Sequence, residues 1–429
     1  MKTILASVYA VNPFKGSEDG TGWNLVMQIA RHNKVIAVTR ENNQPDIEKY
    51  LQQNNVPNAD NIQFEYYDLP YWMRFWKRGS RGALLYYYLW QTGLPGFVKK
   101  RKLHFDITHN HNFHNDWTPS FLWRFNKPFV WGPIGHHPRI PKLFILPVYG
   151  KAKWLADTIR WKAKIFFWMG DPFLNQTKKR AVKILAINSD VNKELQIGES
   201  KLVLMPAVAT NDMLLPKLRD ESFHIISIGR FVALKGFDVT INAFAKFLYS
   251  LPVQKRERVK LTLVGTGPEL PLMKALISEL KIDGNVEIIA WIQRDALKEL
   301  YSQSKVFFFP SHEGAGMVVP EALSCALPVL CFDNAGPGEF IDASSGIKIP
   351  YDTYADAIQQ FAEALLMLFN EPILLERLSA GARKQFEDFF QWNRKGDILK
   401  DIYDEITHTQ QIEKPQNEKI KNHSRSFAE

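Results

Sequence analysis

The chain has 429 residues, of which 45% are hydrophobic and 23% are charged, and its formal net charge is +9. This length exceeds the roughly 250 to 300 residues at which a single core stops growing, so two domains are expected. Its 24 glycines and 24 prolines exclude a collagen-like or low-complexity chain, and the positive charge favours an anionic partner.

Strand-like apolar runs alternate with helical patterns in the N-terminal half. The runs are, in chain order, KTILASVYAV, KVIAVTR, IQFEYYDL, FDITHNH, KPFVWGPIG and VKILAINSD. Helical patterns lie among them at about 22–32, 44–54 and 117–125. The alternation indicates βαβ units and a parallel sheet, so a doubly wound, Rossmann-like domain is predicted over residues 1–208.

A glycine-rich loop, NPFKGSEDGTGW, follows the first predicted strand. Gly16, Gly20 and Gly22 would bring backbone N–H groups to the ligand crevice at the strand ends.

Basic and aromatic residues interleave in two segments, 71–102 and 151–169. Basic helices that carry Trp and Phe bind anionic membrane surfaces, which is the partner predicted here. The same composition suits single-stranded nucleic acid, but no nucleic-acid module accompanies it, so no such partner is predicted. The alternative is that the aromatic rings fill a core between helices and only their basic neighbours are solvated.

Five histidines follow two neighbouring strands of the first domain: His109, His111, His114, His136 and His137. Their spacing matches neither H-E-x-x-H nor a cysteine-containing zinc pattern, so no metal site is predicted.

The second domain is predicted over residues 209–382. Pro216 and a charged stretch separate it from the first domain at about 206–222, and strand and helix patterns alternate again from FHIISIGR onwards. A helix over 383–408 is expected to cross back to the first domain. The polar residues 409–429 are expected to form a loose tail.

The two cysteines and the length of the apolar runs indicate the cellular compartment of the protein. Cys325 and Cys331 have no Cys or His nearby at metal-ligand spacing and are expected to be small core side chains in a reducing compartment. No run reaches the roughly 18 consecutive apolar residues of a membrane span. A cytoplasmic protein is therefore predicted.

Two open parallel sheets that face each other across a cleft would build one composite site at their strand ends. In the second domain, SIGRFVALKGFD puts Arg230 after a strand and Lys235 at the start of a helix, a pattern that suits a diphosphate. The alternative is a pair of basic residues on a solvated turn. In LVGTGPE, Gly265 is expected to allow a sharp turn toward the cleft.

The segment PSHEGAGMVVPEAL sets two glutamates, Glu313 and Glu321, on a loop and on the helix that follows it. Gly314 and Gly316 let the backbone approach a ligand, and the two carboxylates are suited to accept hydrogen bonds from sugar hydroxyls. A plain helix-capping loop with surface acids is the alternative.

Residues 223–345 resemble the nucleotide-sugar domain of the family 4 retaining glycosyltransferases, also called glycosyl transferases group 1, which have the GT-B fold. The resemblance is carried by Gly229 and Arg230 with Lys235, by the GTGPE loop, by the two spaced glutamates and by NAGPGEFI. Ala315, where an aromatic residue is common in the family, departs from the pattern.

The resemblance implies a role for each matching residue of the second domain. Arg230 and Lys235 would grip the donor diphosphate, and the backbone of Gly316, Met317 and Val318 would hold phosphate. Glu313 would contact the donor sugar, Glu321 would bind the ribose, and the loop with Trp291 would pack on the base.

In the first domain, the loop with Gly16 resembles the acceptor-side glycine loop of that family. His109 and His136 are then expected to line the active site, and satisfied loop histidines are the alternative.

The function implied is retaining transfer of a sugar from a nucleotide diphosphate sugar, UDP-linked by preference or GDP-linked, to a hydroxyl of a glycan or glycolipid acceptor. The acceptor class is lipopolysaccharide, capsule or exopolysaccharide, held on a lipid at the inner face of the plasma membrane. No cofactor is required. Two alternatives remain open: a GT-B epimerase or phosphorylase, and a noncatalytic membrane-associated partner.

Overall fold

The computed structural model describes residues 1–77, 79, 82–111, 115–216 and 222–425, with side chains as far as residue 408. Over these residues the chain forms a seven-stranded and a six-stranded sheet, both with parallel pairing. The predicted boundary at 206–222 overlaps residues 217–221, which lie outside the described part.

The first sheet and its helices are built by the N-terminal part of the chain. Its strands are β1 Thr3–Ser7, β2 Lys34–Thr39, β3 Ile62–Tyr66, β4 Ile107–Asn110, β5 Phe129–Ile134, β6 Lys183–Ala186 and β7 Leu202–Leu204. Its helices are α1 Ser17–Ala30, α2 Gln44–Gln53, α3 Tyr71–Arg74, α4 Ala83–Lys100, α5 Lys142–Gly170, α6 Pro172–Arg180 and α7 Asp190–Leu195.

The second sheet and the remaining helices follow. The strands are β8 Phe223–Ile228, β9 Val259–Val264, β10 Val286–Ile289, β11 Val306–Phe309, β12 Val329–Phe332 and β13 Gly346–Ile349. The helices are α8 Phe237–Ser250, α9 Val253–Arg256, α10 Leu270–Glu279, α11 Arg294–Gln303, α12 Val318–Ser324, α13 Tyr354–Asn370, α14 Pro372–Gln385 and α15 Trp392–Arg425.

Both faces of each sheet are covered by apolar side chains, which explains why the strands read as continuous apolar runs. In β1, Ile4 and Ala6 belong to one buried cluster and Leu5 to another. In β11, Phe308 belongs to one buried cluster and Phe307 to another. The doubly wound architecture predicted from the sequence is confirmed.

The strand orders are β3-β2-β1-β4-β5-β6-β7 and β10-β9-β8-β11-β12-β13. Each order reverses direction beside its first strand, between β1 and β4 and between β8 and β11. Such a switch point leaves a crevice at the carboxyl ends of the strands, where ligands of open α/β sheets bind.

Three segments differ from the sequence-based expectations. The helix expected at 117–125 is a single 3-10 turn at Leu122–Phe125, after Pro119. The crossing helix begins at Trp392 rather than at 383. One turn of π-helix at Phe386–Phe390 and an extended Gln391 separate it from α14.

The polar segment 409–429 was expected to be loose, and it is helical through Arg425. Its Gln, Glu and Lys residues have good helix propensity, and they extend an already formed helix, so no new nucleus is needed. The preceding part of α15 packs on α1, with Leu399, Ile402 and Tyr403 buried in the first domain's core.

Candidate active site

The loop after β8 carries two cations with different surroundings. The Arg230 side chain is exposed and makes no hydrogen bond or ion pair with any residue in the described part of the chain. Lys235 Nζ, in contrast, donates to Glu313 Oε1 at 2.6 Å and lies 5.0 Å from the centre of the Phe309 ring. One guanidinium is therefore available to an anion, and one ammonium is already held in place.

Lys235 and Glu313 form a mostly buried pair, with side chains 18% and 14% exposed. Burial raises the pKa of Glu313, and the attraction of Lys235 opposes this rise. The stem of Lys235 covers Gly229, where an added Cβ would lie 3.2 Å from Lys235 Cδ. A hydroxyl or phosphate near this pair would meet fixed charges in a partly dehydrated setting, where electrostatic interactions are stronger than in water.

Two glycines have backbone conformations that favour glycine and fix the shape of these loops. Gly236 has φ +68, and a Cβ there would lie 2.0 Å from the carbonyl oxygen of Pro310. Gly265 has φ +140, and its Cβ would lie 1.9 Å from the carbonyl oxygen of Gly229. The backbones of the loops after β8, β9 and β11 are therefore in direct contact at these glycines.

Glu321 lies in the first turn of α12 and is partly buried. Burial raises its pKa, while Arg294 and the Tyr301 hydroxyl oppose the rise. Gly316 precedes this helix, next to Met317 and Val318, and a Cβ at Gly316 would lie 3.5 Å from Glu313 Oε1. The two glutamates are thus joined by a short glycine-containing turn at the end of β11.

Trp291 follows β10 with its side chain 77% exposed. An exposed indole at the carboxyl edge of the sheet suits stacking on a planar ligand group.

The first domain meets the Glu313 loop through backbone and amide groups. Asn188 Nδ2 donates to the carbonyl oxygens of His136, at 2.8 Å, and of Gly314, at 2.5 Å. A Cβ on Gly314 would lie 1.8 Å from the His136 oxygen. Thr21 Oγ1, on α1, lies 3.8 Å from Met317 Sδ. The two sheets therefore face each other across a cleft whose walls are in contact at this point.

Gly16 stands at the start of α1, and the helix includes Gly20 and Gly22. The expected glycine loop is thus shorter than predicted, because the helix begins at Ser17. A Cβ on Gly20 would lie 2.5 Å from the carbonyl oxygen of Lys15, so this turn requires a residue without one.

His136 is buried at this contact, and its Nδ1 lies 2.7 Å from Asp116 Oδ2. Its ring packs against those of Trp161 and Trp168, with centroids 5.6 and 5.3 Å away. The Asp116 carboxylate fixes the orientation of the imidazole, and the His136 backbone reaches the Glu313 loop.

The expectation that His109 lines the active site is corrected by its position. His109 is fully buried, with Nδ1 2.6 Å from the Tyr403 hydroxyl and Nε2 2.7 Å from the Gly132 carbonyl oxygen. Burial lowers its pKa to about 3, so the ring is neutral, donating from Nε2 and accepting at Nδ1. His109 joins β4 to α15. Both of its ring nitrogens are hydrogen-bonded inside the protein, which fits the alternative interpretation of a structural histidine.

His114, another of the five histidines, lies outside the described residues. Elsewhere, among the residues for which positions are given, no group of three or more His, Cys, Asp or Glu side chains is close enough to hold a metal ion. Cys325 and Cys331 are both buried and unbonded to each other, as expected for core side chains.

Comparison with known families gives a match in the second domain. A family model described as "Glycosyl transferases group 1" matches residues 215–385. The lipopolysaccharide core biosynthesis glycosyltransferase LpsD of Rhizobium meliloti is 30% identical over 199 residues, which are 46% of this chain and 53% of that protein. The chain therefore spans about half the length of the curated relatives it matches.

Solved structures resemble the whole chain. WaaG, a glycosyltransferase involved in lipopolysaccharide biosynthesis, is 18% identical, with a TM-score of 0.60 and coverage of 92% of this chain and 99% of that one. Anabaena Alr3699/HepE in complex with UDP is 13% identical, with a TM-score of 0.62 and coverage of 94% and 100%. The fold is GT-B.

The sequence motifs place these loops at the ends of strands, where the structure has them, but they miss several partners. Arg294 begins α11, and its influence on the pKa of Glu321 depends on how that helix packs. Asn188 and Asp116 were missed because an isolated amide or carboxylate after a strand carries no distinctive pattern. Asn188 lies two residues after the end of β6, and a polar residue so close to a strand end is the signal that would have pointed to it.

Proposed function

We propose that the protein is a retaining glycosyltransferase of family 4, which transfers a sugar from a nucleoside diphosphate donor to a hydroxyl of a glycan. The observation that carries the proposal is the Lys235–Glu313 pair beside the exposed Arg230, at the switch point of the second sheet. The match of residues 215–385 to the group 1 family supports it.

In the proposed reaction, the bond between the anomeric carbon and the donor phosphate oxygen breaks, a bond to the acceptor oxygen forms on the same face, and the acceptor hydroxyl gives its proton to the leaving diphosphate. Negative charge develops on the leaving diphosphate. Arg230 and Lys235 stabilise that charge, because they are fixed or available before the reaction begins. The catalysis is thus mainly positioning and electrostatics, and it calls for no metal ion.

The other site residues recognise the donor in this proposal. Glu313 accepts hydrogen bonds from the sugar hydroxyls, Glu321 binds the ribose, and the backbone of residues 316–318 holds phosphate. Trp291 packs on the base. The Gly16 loop and the His136 loop line the acceptor side.

The donor we propose is a UDP-sugar, with a GDP-sugar as the second choice. The structure of Alr3699/HepE with UDP in the same fold supports the preference. The acceptor we propose is a lipid-linked surface glycan such as lipopolysaccharide, capsule or exopolysaccharide, and the likeness to LpsD supports this class.

A thermal-shift screen with UDP, GDP, ADP and their sugars tests the donor. A ligand at 100 times its Kd stabilises the folded state by about 2.7 kcal/mol, so the true nucleotide is expected to raise Tm while the others do not. The wild-type protein with donor alone, and with donor plus inorganic phosphate, serves as the matched reaction control.

The outcomes separate the alternatives. An epimer formed from donor alone, or turnover that requires phosphate, identifies an epimerase or a phosphorylase. No stabilisation by any nucleotide identifies a noncatalytic GT-B protein and contradicts the proposal.

We further propose that the protein binds the anionic inner face of the plasma membrane. The aromatic residues Tyr86, Tyr87 and Trp90 of α4 are buried, as the core alternative expected. The second basic segment differs. Leu155, Ile159, Phe166 and Met169 of α5 are 54%, 62%, 71% and 79% exposed, and their spacing puts them on one side of the helix.

Lysines accompany this apolar stripe of α5, and Trp72 on α3 is also 71% exposed. An exposed apolar stripe with basic neighbours is the pattern of a helix that lies in a membrane interface. In the described part of the chain no helix is long and apolar enough to cross a membrane.

Flotation with vesicles containing phosphatidylglycerol checks this surface. The wild-type protein is expected to float at low salt and less at high salt, because the lysines act through screened charge. Replacing both Phe166 and Met169 with serine removes apolar area and is expected to reduce the partition coefficient about tenfold or more.

Ile373→Ser is the matched control, because Ile373 is 84% exposed on α14 of the other domain. Wild-type protein that stays at the bottom of the gradient at low salt would refute membrane binding and leave the transferase proposal untouched.

A further inference from the structure

The beginning of α5 belongs to the first domain by sequence, but its apolar side chains are part of the second domain's core. Ile140, Phe144 and Ile145 are buried in the cluster that contains residues of α8, β12 and α13. Gly150, with φ 74, then breaks the helix before the exposed basic and aromatic part. A short piece of one domain is thus inserted into the other.

Phe144 lies directly behind the Glu313 loop. Its ring centroid is 5.3 Å from that of His312 and 4.9 Å from that of Tyr351, and its side chain is 1% exposed. His312 immediately precedes Glu313 in the chain. The ring of His312 is neutral, because burial lowers its pKa to about 3, so the contact is one of packing rather than charge.

His312 also connects to the Lys235 loop. Its backbone N–H donates to the carbonyl oxygen of Leu234 at 2.8 Å, and Leu234 directly precedes Lys235. The ring of His312 is fixed by a hydrogen bond between Nδ1 and the Tyr351 hydroxyl. A displacement of His312 would therefore reach both members of the Lys235–Glu313 pair.

Tyr149 contacts the same site from a second direction. Its hydroxyl donates to Asp238 Oδ1 at 3.0 Å, and Asp238 is buried in the first turn of α8, three residues after Lys235. The first domain thus supports the loop after β8 through Tyr149 and the loop after β11 through Phe144.

We propose that Phe144 and Tyr149 form a donor-loop brace, in which a segment of the first domain positions Lys235 and Glu313 of the second. They are positioning residues, since neither reaches the ligand site itself. The inference rests on the proposed function, because it takes a nucleoside diphosphate as the ligand of those loops. The donor site is then incomplete without the first domain.

Full-length variants test the brace by calorimetric titration with UDP and with GDP, followed by donor KM and kcat. Phe144→Ala is expected to weaken nucleotide binding and raise donor KM about tenfold, because small displacements of binding groups are costly. Phe144→Leu, which keeps part of the volume but has no aromatic ring, is expected to show a smaller but measurable loss of about threefold. Tyr149→Phe removes one hydrogen bond and leaves Asp238 without that donor, so a loss of about fivefold is expected.

Phe129→Leu is the matched control, because Phe129 is fully buried on β5 in the first domain's own core. A purely structural role would lower Tm and the fraction of competent protein in both sets of variants, with Kd unchanged. The brace predicts a changed Kd in the Phe144 and Tyr149 variants alone.

Phe144→Leu and Tyr149→Phe keep the test valid if Phe144→Ala does not fold. Wild-type Kd and KM in those two folded variants would overturn the brace while the proposed function stands. Wild-type protein that binds neither UDP nor GDP would instead overturn the proposed function, and the brace with it.

Discussion

Replacing Lys235 with methionine is expected to lower turnover by about a hundredfold to a thousandfold while the protein stays folded. The reason is electrostatic, since fixed groups that stabilise charge on a leaving group contribute on this scale. Methionine keeps an apolar stem over Gly229 and the Phe309 ring, so the packing is largely retained. The measurement is the rate of nucleoside diphosphate release with donor and acceptor present.

The same change removes the ammonium that pairs with Glu313, and an unpaired buried carboxylate is costly. Glu313 is then expected to take up a proton at a higher pH than in the wild-type protein, since Lys235 opposes the rise of its pKa. A double variant with Glu313→Gln separates this cost from catalysis, because it is expected to recover stability but not turnover.

Lys298→Met is the matched control for Lys235. Lys298 pairs with Asp295 at 2.8 Å in the same domain, but Asp295 is 90% exposed, so the pair contributes little to stability. Wild-type turnover in the Lys298 variant and a large loss in the Lys235 variant is the expected pair of results. Near wild-type turnover in both would remove Lys235 from the mechanism.

Gly314→Ala is expected to lower turnover at least about a hundredfold through a single added methyl group. Its Cβ would lie 1.8 Å from the His136 carbonyl oxygen and 2.7 Å from Asn188 Nδ2, and these are groups of the opposite domain. The Glu313 loop has little room to move away, because Gly336 packs closely behind it. A Cβ added at Gly336 would lie 2.2 Å from the backbone carbonyl oxygen of Glu313. The domains or the Glu313 loop must therefore move, and shifts of about 1 Å in a site cost this much.

Gly284→Ala is the control, because Gly284 has open space around it and no positive φ. Steady-state kinetics of the two variants, with Tm measured alongside, make the comparison. Unchanged turnover in Gly314→Ala would mean that the observed contact between the domains is not part of the reacting state.

The fold was predictable because both faces of each sheet are buried. Strands such as β8 and β11 therefore read as unbroken apolar runs. The helix α15 was less predictable at both ends. Its start depends on a turn of π-helix, which no apolar periodicity in the sequence indicates. Its polar continuation lacks the apolar pattern from which a helix is predicted.

The positions of the four charged residues proposed to bind the donor were predictable from local pattern, since Arg230, Lys235, Glu313 and Glu321 all follow strands or begin helices. The assignment of roles came from the family resemblance. Contacts between distant segments were not accessible in this way. His109 is hydrogen-bonded to Tyr403, which is 294 positions away in the chain, and no sequence pattern near His109 indicates that partner.

The inserted segment of α5 illustrates the same limit. The apolar spacing around Phe144 predicts a buried helix face but does not say in which domain it is buried. Only the folded chain brings Phe144 against His312 and Tyr149 against Asp238.

Calorimetric titration of UDP and GDP into the wild-type protein and into Glu321→Gln tests the central claim most directly. Glutamine keeps the size of the side chain but lacks the charge that favours a bidentate bond to ribose hydroxyls. We predict saturable binding of one nucleotide to the wild-type protein and a loss of about tenfold or more in affinity for the variant, with Tm unchanged. Equal affinity in both proteins would contradict the role of Glu321, and no binding of any nucleoside diphosphate by the wild-type protein would contradict the proposed glycosyl transfer.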